Sequence, residues 1–249
     1  MKEQAYTGQV VSLNESKLMP ITRETVNDKV YNELRRSLIH GVFATGEMLR
    51  IADLAEKFQT STMPVRDALS RLVSEHALEA LPNRTVRVPF ITRERLEDLS
   101  RARFMIEGQV TLLAMERLNA DDFNILRRLT EECEKSFTHR TTDSVRRAIE
   151  LNHAFHNHIY RAAGSRVMIP VIESLWLQSG PYVRKSAFLH HEKQDPAGTH
   201  HHWELISTLE RRDGNGAVAA LKNDISRAFN LIRAQLDIEE QQAGVAREG

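Results

Sequence analysis

The feature that most constrains the fold is a long series of helical patterns in the second part of the chain. Beyond Pro89, and after a helix-capping residue at Thr92, apolar residues recur with helical spacing and no segment alternates as a strand would. Six segments carry this pattern, at about 92–118, 121–138, 142–163, 166–190, 199–212 and 215–237. Because each helix must bury its apolar face, the pattern predicts an all-helical bundle of about six helices over residues 91–237.

The segment before that boundary predicts shorter elements in a different order. An apolar stripe indicates a first helix that Thr22 caps and Gly41 ends. Two further helices follow in IADLAEKF and MPVRDALSRLVSEHAL, separated by QTST. Ser61 can cap the second of these, and Pro64 falls in its first turn, where a missing backbone N–H costs nothing. The stretch LEALPNRTVRVPF then alternates as a hairpin does.

This order predicts a mainly α protein with an N-terminal winged helix-turn-helix, whose wing is a small β-hairpin, followed by the helical bundle. We expect four parts: a flexible arm over residues 1–20, the winged helix-turn-helix over 21–90, the bundle over 91–237, and a polar tail over 238–249.

A helix-turn-helix can place polar side chains of its second helix in the major groove of DNA. The side chains expected to face outward there are Thr60, Ser61, Thr62, Arg66 and Ser70. Arg66 could read a guanine edge or hold a phosphate, and Arg84 and Arg87 on the hairpin could reach the backbone or the minor groove. Spacing alone leaves a second interpretation open, a structural three-helix subdomain with ordinary surface arginines.

Bulk composition leaves the nature of the partner undecided. The 34 basic and 34 acidic residues cancel, but a DNA-binding module needs only a local basic face. No apolar run approaches about 18 residues and the N-terminus lacks a secretory signal, so we expect a cytoplasmic protein without membrane contact. The single cysteine, Cys133, excludes an intramolecular disulfide and a cysteine-rich zinc module, and we expect it to be buried.

Histidines are concentrated in the predicted bundle, where nine of the eleven lie between residues 139 and 202. Asn152 and His156 have i, i+4 spacing and share a helix face, and the apolar stripe beside His156 directs it inward. Among the three consecutive histidines that end at residue 202, the neighbouring leucines favour His202 as the inward one. Two others lie off the apolar register and are expected in solvent: His153 and His158. Ligands that converge from facing helices are what a metal site requires.

The segment GVFATGEMLRIADLAEKFQTSTMPVRDALSRLVSEHALEALPNRTVRV resembles the N-terminal domain of GntR-family regulators. The most specific match is PVRDALSRL, and the matching residues are Ser61, Pro64, Val65, Arg66, Ala68 and Leu69. The resemblance implies that Arg66 and the stretch from Ser61 to Met63 contact a double-stranded DNA operator. Thr62 stands where the family usually has a base-reading arginine, and Thr85 where the wing usually has glycine. We therefore expect an operator that differs from the family's commonest one.

Residues 92–235 resemble the FadR-type ligand domain of the same family, known as FCD. NHAFHNHIYRAAGS is similar to its Asp-x-x-x-His helix, and HWELISTLERRDGNGAVAALKNDI to its His-led helix and final helix. Members that bind a divalent metal use one Asp and three His, and the corresponding residues here are Asn152, His156, His202 and Asp224. Asn152 stands where those members have Asp, and Asp224 stands where they have the last His. These two replacements imply a site for Zn, Ni or Mn that is shifted toward oxygen-preferring metals, or a lost site. The alternative is a polar core in which these groups hydrogen-bond one another or a water.

The resemblance also implies an effector site. RARFMIEGQVTLLAME is similar to the first FCD helix, which often offers an arginine near the cavity. Arg103 would bind a small carboxylate there, because a guanidinium suits bidentate contact, and Arg184 is a second candidate. Glu107 follows Arg103 at i, i+4, so an ion pair on the helix surface or between subunits is the alternative.

The sequence thus predicts a transcription regulator that is controlled by a small organic acid and acts as a homodimer on a palindromic operator. Repression is the commoner outcome in the family. Two alternatives come from other classes: a metal-dependent hydrolase built on the bundle, and an adaptor whose N-terminal helices bind protein. The chain contains no His-Glu-x-x-His and no adjacent His-Asp pair, so we do not expect an enzyme.

Overall fold

The computed structural model describes residues 25–82, 85–138, 141–193 and 199–248. In these ranges the elements are α1 (Val26–Ile39), β1 (Met48–Leu49), α2 (Ile51–Lys57), α3 (Thr62–Ser74), β2 (Glu79–Leu81), β3 (Thr85–Arg87), α4 (Arg93–Met115), α5 (Ala120–Thr138), α6 (Thr142–Ala162), α7 (Met168–Lys193), α8 (His200–Glu210) and α9 (Gly214–Glu248). The predicted class, a winged helix-turn-helix followed by a helical bundle, is confirmed.

Helix α1 begins with a capping box rather than at the expected Thr22, which lies outside the described residues. The Thr25 hydroxyl accepts a hydrogen bond from the Asp28 N–H, and the Asp28 carboxylate accepts one from the Thr25 N–H, each at 3.1 Å. The helix ends where the sequence predicted, because Gly41 takes a left-handed φ of +63° that favours glycine.

The helix-turn-helix is formed by α2 and α3. Ser61 is the N-cap residue of α3 as predicted, but its side chain makes no capping hydrogen bond. Pro64 lies in the first turn, and the apolar face behind it buries Val65, Leu69 and Leu72 in the core that includes α1. The helix therefore presents one apolar face to the protein and leaves its other face exposed.

The wing contains one strand more than the sequence predicted. Strands β2 and β3 form the expected hairpin, and β1 pairs with the other edge of β3 to give the order β1-β3-β2, all antiparallel. The register pairs Leu49 with Val86. A strand of two residues has no periodicity of its own, so β1 gave no sequence signal.

The bundle consists of α4 to α9, close to the six predicted segments. Its largest difference is at the end of the chain, where α9 continues to Glu248 although the pattern indicated an end near residue 237. The turns just beyond that point expose polar side chains and so carry no apolar stripe, and Arg93 pairs with Asp237 at 2.6 Å. None of the described helices is long and apolar enough to span a membrane.

The two halves meet where α1 lies against α7. A Cβ atom at Gly180 would collide with the carbonyl oxygen of Leu38, so glycine is what permits this approach. Arg35 on α1 pairs with Glu173 on α7 at 3.1 Å, and the Arg184 Nη1 donates to the Gly41 carbonyl oxygen at 2.7 Å. The DNA-binding half is thus packed directly on a bundle helix.

Candidate functional site

The exposed face of α3 carries most of the side chains that the sequence assigned to DNA. Ser61, Thr62, Met63 and Arg66 are exposed, and Thr60 is half-buried in the preceding turn. Within the described residues Arg66 has no ion pair. An unpaired guanidinium beside two hydroxyls at a helix start can contact phosphates or base edges without first breaking a bond in the protein.

The wing is arranged differently. Arg87 Nη2 lies 2.8 Å from a carboxylate oxygen of Glu79 across the hairpin, and its guanidinium carbon lies 4.5 Å from the ring centroid of Phe90. A contact of Arg87 with DNA would therefore compete with an ion pair on the same hairpin. The other predicted wing residue, Arg84, lies outside the described residues.

A second cluster of polar side chains lies deep in the bundle, where α6, α8 and α9 converge. His156 Nε2 is 3.1 Å from Asp224 Oδ2, and His202 Nε2 is 3.1 Å from Asn152 Oδ1. His202 Nε2 also lies 3.8 Å from the other Asp224 oxygen. Both histidines are 1% exposed and Asp224 is 7% exposed. The structure therefore brings together all four residues that the sequence singled out.

Burial and charge set the protonation of this cluster. Burial lowers the pKa of His202 to about 3, so its ring is neutral at physiological pH. Burial would raise the pKa of Asp224, but the hydrogen bond from His156 and the charge of Arg227 hold it well below its usual range. The His202 ring is thus neutral and Asp224 is an anion, which are the forms that bind metal.

A cavity of about 70 Å³ opens beside this cluster. Its lining comes from five helices and combines polar with apolar side chains: Arg103, Cys133, Phe137, Ala148, Ile149, Asn152, His156, Trp176, Val183, Ser186, Ala187, His190, Asp224, Ile225, Arg227 and Ala228. Cys133 is buried as predicted, and burial raises the pKa of its thiol to about 12. The cavity has room for an ion with water, or for part of a small ligand.

Arg103 lines the cavity as part of a buried ion pair with Glu107. Its Nε donates to Glu107 at 2.6 Å and its Nη2 at 3.2 Å. Tyr160 donates its hydroxyl to the same carboxylate at 2.5 Å. Arg103 is 3% exposed and Glu107 is fully buried, so the helix-surface alternative for this pair is wrong. Nη1 is the part of the guanidinium that this geometry leaves for a ligand.

The second effector candidate, Arg184, lies elsewhere. It donates to the carbonyl oxygen of Gly41 and stacks over Phe188, and the cavity lining does not include it. Its position is the junction between the two halves of the protein.

The expectation of solvated histidines is wrong for His153. Its ring packs between those of His40 and Trp176, and burial lowers its pKa to about 3. His158 is half-buried and lies 2.9 Å from an oxygen of Asp122. The apolar stripe of α6 could not predict that the His153 ring is packed, because its partner rings come from α1 and α7, far away in sequence.

The cavity residues that the sequence analysis did not identify include two basic side chains, Arg227 and His190. Arg227 Nη1 lies 3.2 Å from His190 Nδ1, and both side chains line the cavity. Arg227 follows Asp224 at i, i+3, so helical spacing could have placed it on the same face. His190 faces it from α7, a pairing that has no signal in the sequence.

The residues present fit a divalent metal. One ligand atom from each of His156, His202 and Asp224 lies within 4.8 Å of the others. The side-chain amide oxygen of Asn152 lies beside them, 3.1 Å from His202 Nε2. Two imidazole nitrogens, one carboxylate and one amide oxygen suit zinc, nickel or manganese. The same distances also allow a hydrogen-bonded polar core.

An exposed recognition helix with a wing, packed on a helical bundle that contains a cavity beside a buried polar cluster, defines the class of two-part DNA-binding transcription regulators. Comparison with known proteins gives the particular family. Residues 26–88 match the bacterial regulatory proteins of the gntR family, and residues 98–227 match the FCD domain. The chain belongs to the GntR family and carries an FCD domain.

Relatives agree with this assignment. The chain is 30% identical over 211 residues to the HTH-type transcriptional regulator McbR of Escherichia coli K12. The aligned region covers 83% of this chain and 92% of McbR. It is 24% identical to the HTH-type transcriptional repressor RspR of the same organism, covering 84% and 90% of the two chains. The solved structure of E. coli McbR superimposes with a TM-score of 0.76 at 27% identity, covering 86% of this chain and all of that one. The protein is a DNA-binding transcription regulator and not an enzyme.

Proposed function

We propose that this protein is a homodimeric repressor that binds a palindromic operator and responds to a small carboxylate held, together with a divalent metal, in the FCD cavity. The observation that carries the proposal is the convergence of Asn152, His156, His202 and Asp224 in a buried cluster beside the cavity, in a chain whose recognition helix is exposed. As a DNA-binding regulator it would act in the bacterial cytoplasm.

On the DNA side, the proposed contacts of α3 and the turn before it are Thr60, Ser61, Thr62, Met63 and Arg66. Arg84 and Arg87 are the proposed contacts of the wing. Two recognition helices one DNA turn apart read a palindrome, which is the reason to propose a homodimer. The relative RspR is named a repressor, and this supports repression here.

Selection of bound duplexes from a random DNA pool tests the DNA half. We expect a palindromic winner, and we expect Arg66→Ala to weaken its binding by about 5- to 150-fold and to reduce the salt dependence by about one phosphate contact. Arg101→Ala, which removes an exposed arginine from α4, is the matched control and should change little. No enrichment at low salt would contradict DNA recognition and favour an adaptor that binds protein.

On the ligand side, Asn152, His156, His202 and Asp224 would hold the metal. When bound, the metal would supply the positive charge that attracts an organic acid, since Glu107 already neutralises Arg103. Arg103 Nη1 would donate to the acid and fix its orientation. Trp176, whose ring face lies 4.5 Å from the Arg103 guanidinium carbon, keeps that group in place.

Calorimetric titration of metal-free protein with Zn²⁺, Ni²⁺ or Mn²⁺ tests this half. We expect one tight site, lost in His156→Ala and retained in His158→Ala, a control two residues away in which the altered ring pairs with Asp122 outside the cluster. Small carboxylates should then bind the loaded protein more tightly than the metal-free one. Equal metal binding by His156→Ala and the wild type would favour a hydrogen-bonded polar core instead.

A further inference from the structure

A continuous row of four rings leads from the bundle cavity to the DNA-binding half. The His156 ring centroid lies 5.5 Å from that of Trp176, Trp176 lies 5.0 Å from His153, and His153 lies 5.3 Å from His40. His156 is one of the four clustered residues, whereas His40 is the C-cap residue of α1. Each ring therefore contacts the next with no other side chain between them.

Trp176 lies at the point where this row crosses the bundle. It is 3% exposed and lines the cavity beside Arg103 and His156. On α7 it lies one turn from Glu173 and from Gly180, the two residues that hold α1 by an ion pair and by close backbone approach. A movement of Trp176 therefore acts at the surface on which α1 rests.

The far end of the row is connected to the recognition helix. Helix α1 packs on α3 through its buried apolar side chains, Leu34 and Leu38 among them. The Tyr31 hydroxyl donates to Glu75 at 2.8 Å, just beyond the end of α3, and Asn27 donates to Asp67 at 2.9 Å. A displacement of α1 relative to the bundle would carry α3 with it.

We propose that Trp176 and His153 are positioning residues that couple occupancy of the bundle cavity to the orientation of the DNA-binding half through His40. This inference rests on the function proposed above, in which the cavity binds a metal and an effector. Protein interiors are close-packed, so a ring that shifts when its neighbour is bound must displace the next one. Two arrangements of the row would then correspond to two orientations of α1, with different affinities for an operator.

Fluorescence can observe the middle of the row directly. The chain has two tryptophans, and Trp203 lies outside the row, where its indole donates to Glu134. Trp203→Phe leaves Trp176 as the single tryptophan, whose emission is recorded by selective excitation of tryptophan over the four tyrosines. We expect its emission to change on addition of Zn²⁺ or Ni²⁺ alone, and separately on addition of the selected operator. In Trp203→Phe/His153→Ala the metal should still change the emission, but the operator should not. An operator response that persists without His153 would overturn the proposal.

The coupling itself is measured as the ratio of operator dissociation constants with and without saturating metal. We expect a ratio of at least about 5-fold in the wild type and of less than about 2-fold in His153→Ala, with metal affinity kept. His153→Phe retains a ring and should restore the ratio. By reciprocity, operator DNA should change metal affinity by the same factor. An undiminished ratio in His153→Ala overturns the proposal.

A cycle of variants separates this inference from the proposed metal site. Operator affinity is measured for His40→Ala, His156→Ala and the double variant in metal-free buffer, with Asp224→Asn in place of His156→Ala if that variant does not fold. We expect the combined effect to deviate from the product of the single effects by more than about 2-fold, and to be a simple product in the control cycle of His40→Ala with His158→Ala. Simple products in both cycles overturn the coupling, whereas failure of metal binding alone overturns only the metal site.

Discussion

The winged helix and the bundle use the same types of charged side chain in opposite surroundings. In the wing, Arg87 pairs with Glu79 where both side chains remain partly exposed, at 26% and 37%. In the bundle, Arg103 pairs with Glu107 where both are buried. An exposed pair can open to bind DNA at small cost, whereas a buried pair must keep its partner because neither charge can reach water. The wing can therefore exchange an ion pair for contacts with DNA, whereas the bundle keeps its ion pair and with it the shape of the cavity.

The largest expected difference in stability lies between a variant that breaks the buried pair and one that breaks the exposed pair. Glu107→Gln leaves Arg103 as a buried charge without a counterion and replaces one of the two oxygens that accept from Arg103 and Tyr160, so we expect the free energy of unfolding to fall by about 3–5 kcal/mol. Glu79→Gln should change it by less than about 1 kcal/mol. Urea unfolding followed by circular dichroism measures both. Similar losses in the two variants would remove the contrast between the regions.

Acid pH should destabilise the bundle through two buried histidines, by less than the loss of Glu107 does. His153 and His202 have folded pKa values of about 3, below their ordinary value of 6.5, so below pH 6.5 the unfolded chain binds more protons than the folded one. Stability from these groups is complete above pH 6.5 and is lost as the pH falls toward 3. Each group should contribute up to about 1.4 kcal/mol per pH unit to the slope of the free energy of unfolding against pH.

Unfolding of metal-free protein between pH 6.5 and about 5 measures this slope. His153→Phe, which keeps a ring but cannot take a proton, should lower the slope by the share of one group. An unchanged stability over this interval in the wild type would show that the two rings reach water in the folded protein.

The smallest expected effect compares two helix starts within the DNA-binding half. Thr25 caps α1 with its side chain, so Thr25→Ala should lower the free energy of unfolding by about 1 kcal/mol. Ser61 occupies the same position at α3 without a capping bond, so Ser61→Ala should change it by less than about 0.5 kcal/mol while weakening operator binding. Equal stability losses would mean that Ser61 serves the fold rather than DNA.

Much of this architecture follows from local pattern. The bundle segments, the end of α1, the start of α3 and the hairpin all have periodic or capping signals, and the family resemblance added the four clustered polar residues. Helical register was also sufficient to direct His156 and His202 inward. The part that was missed lacks such signals, as β1 is too short for periodicity and α9 extends along polar residues.

The sequence by itself determined the element order, the class of fold and the inward direction of His156 and His202, because these depend on spacing along single helices. Tertiary structure alone decided that Arg103 and Glu107 are buried, that Arg184 lies at the junction of the two halves, and that His153 packs between His40 and Trp176. The physical reason is that these environments are created by side chains from other helices, distant in sequence. Burial and pairing of a polar group depend on what packs against it, which local spacing does not encode.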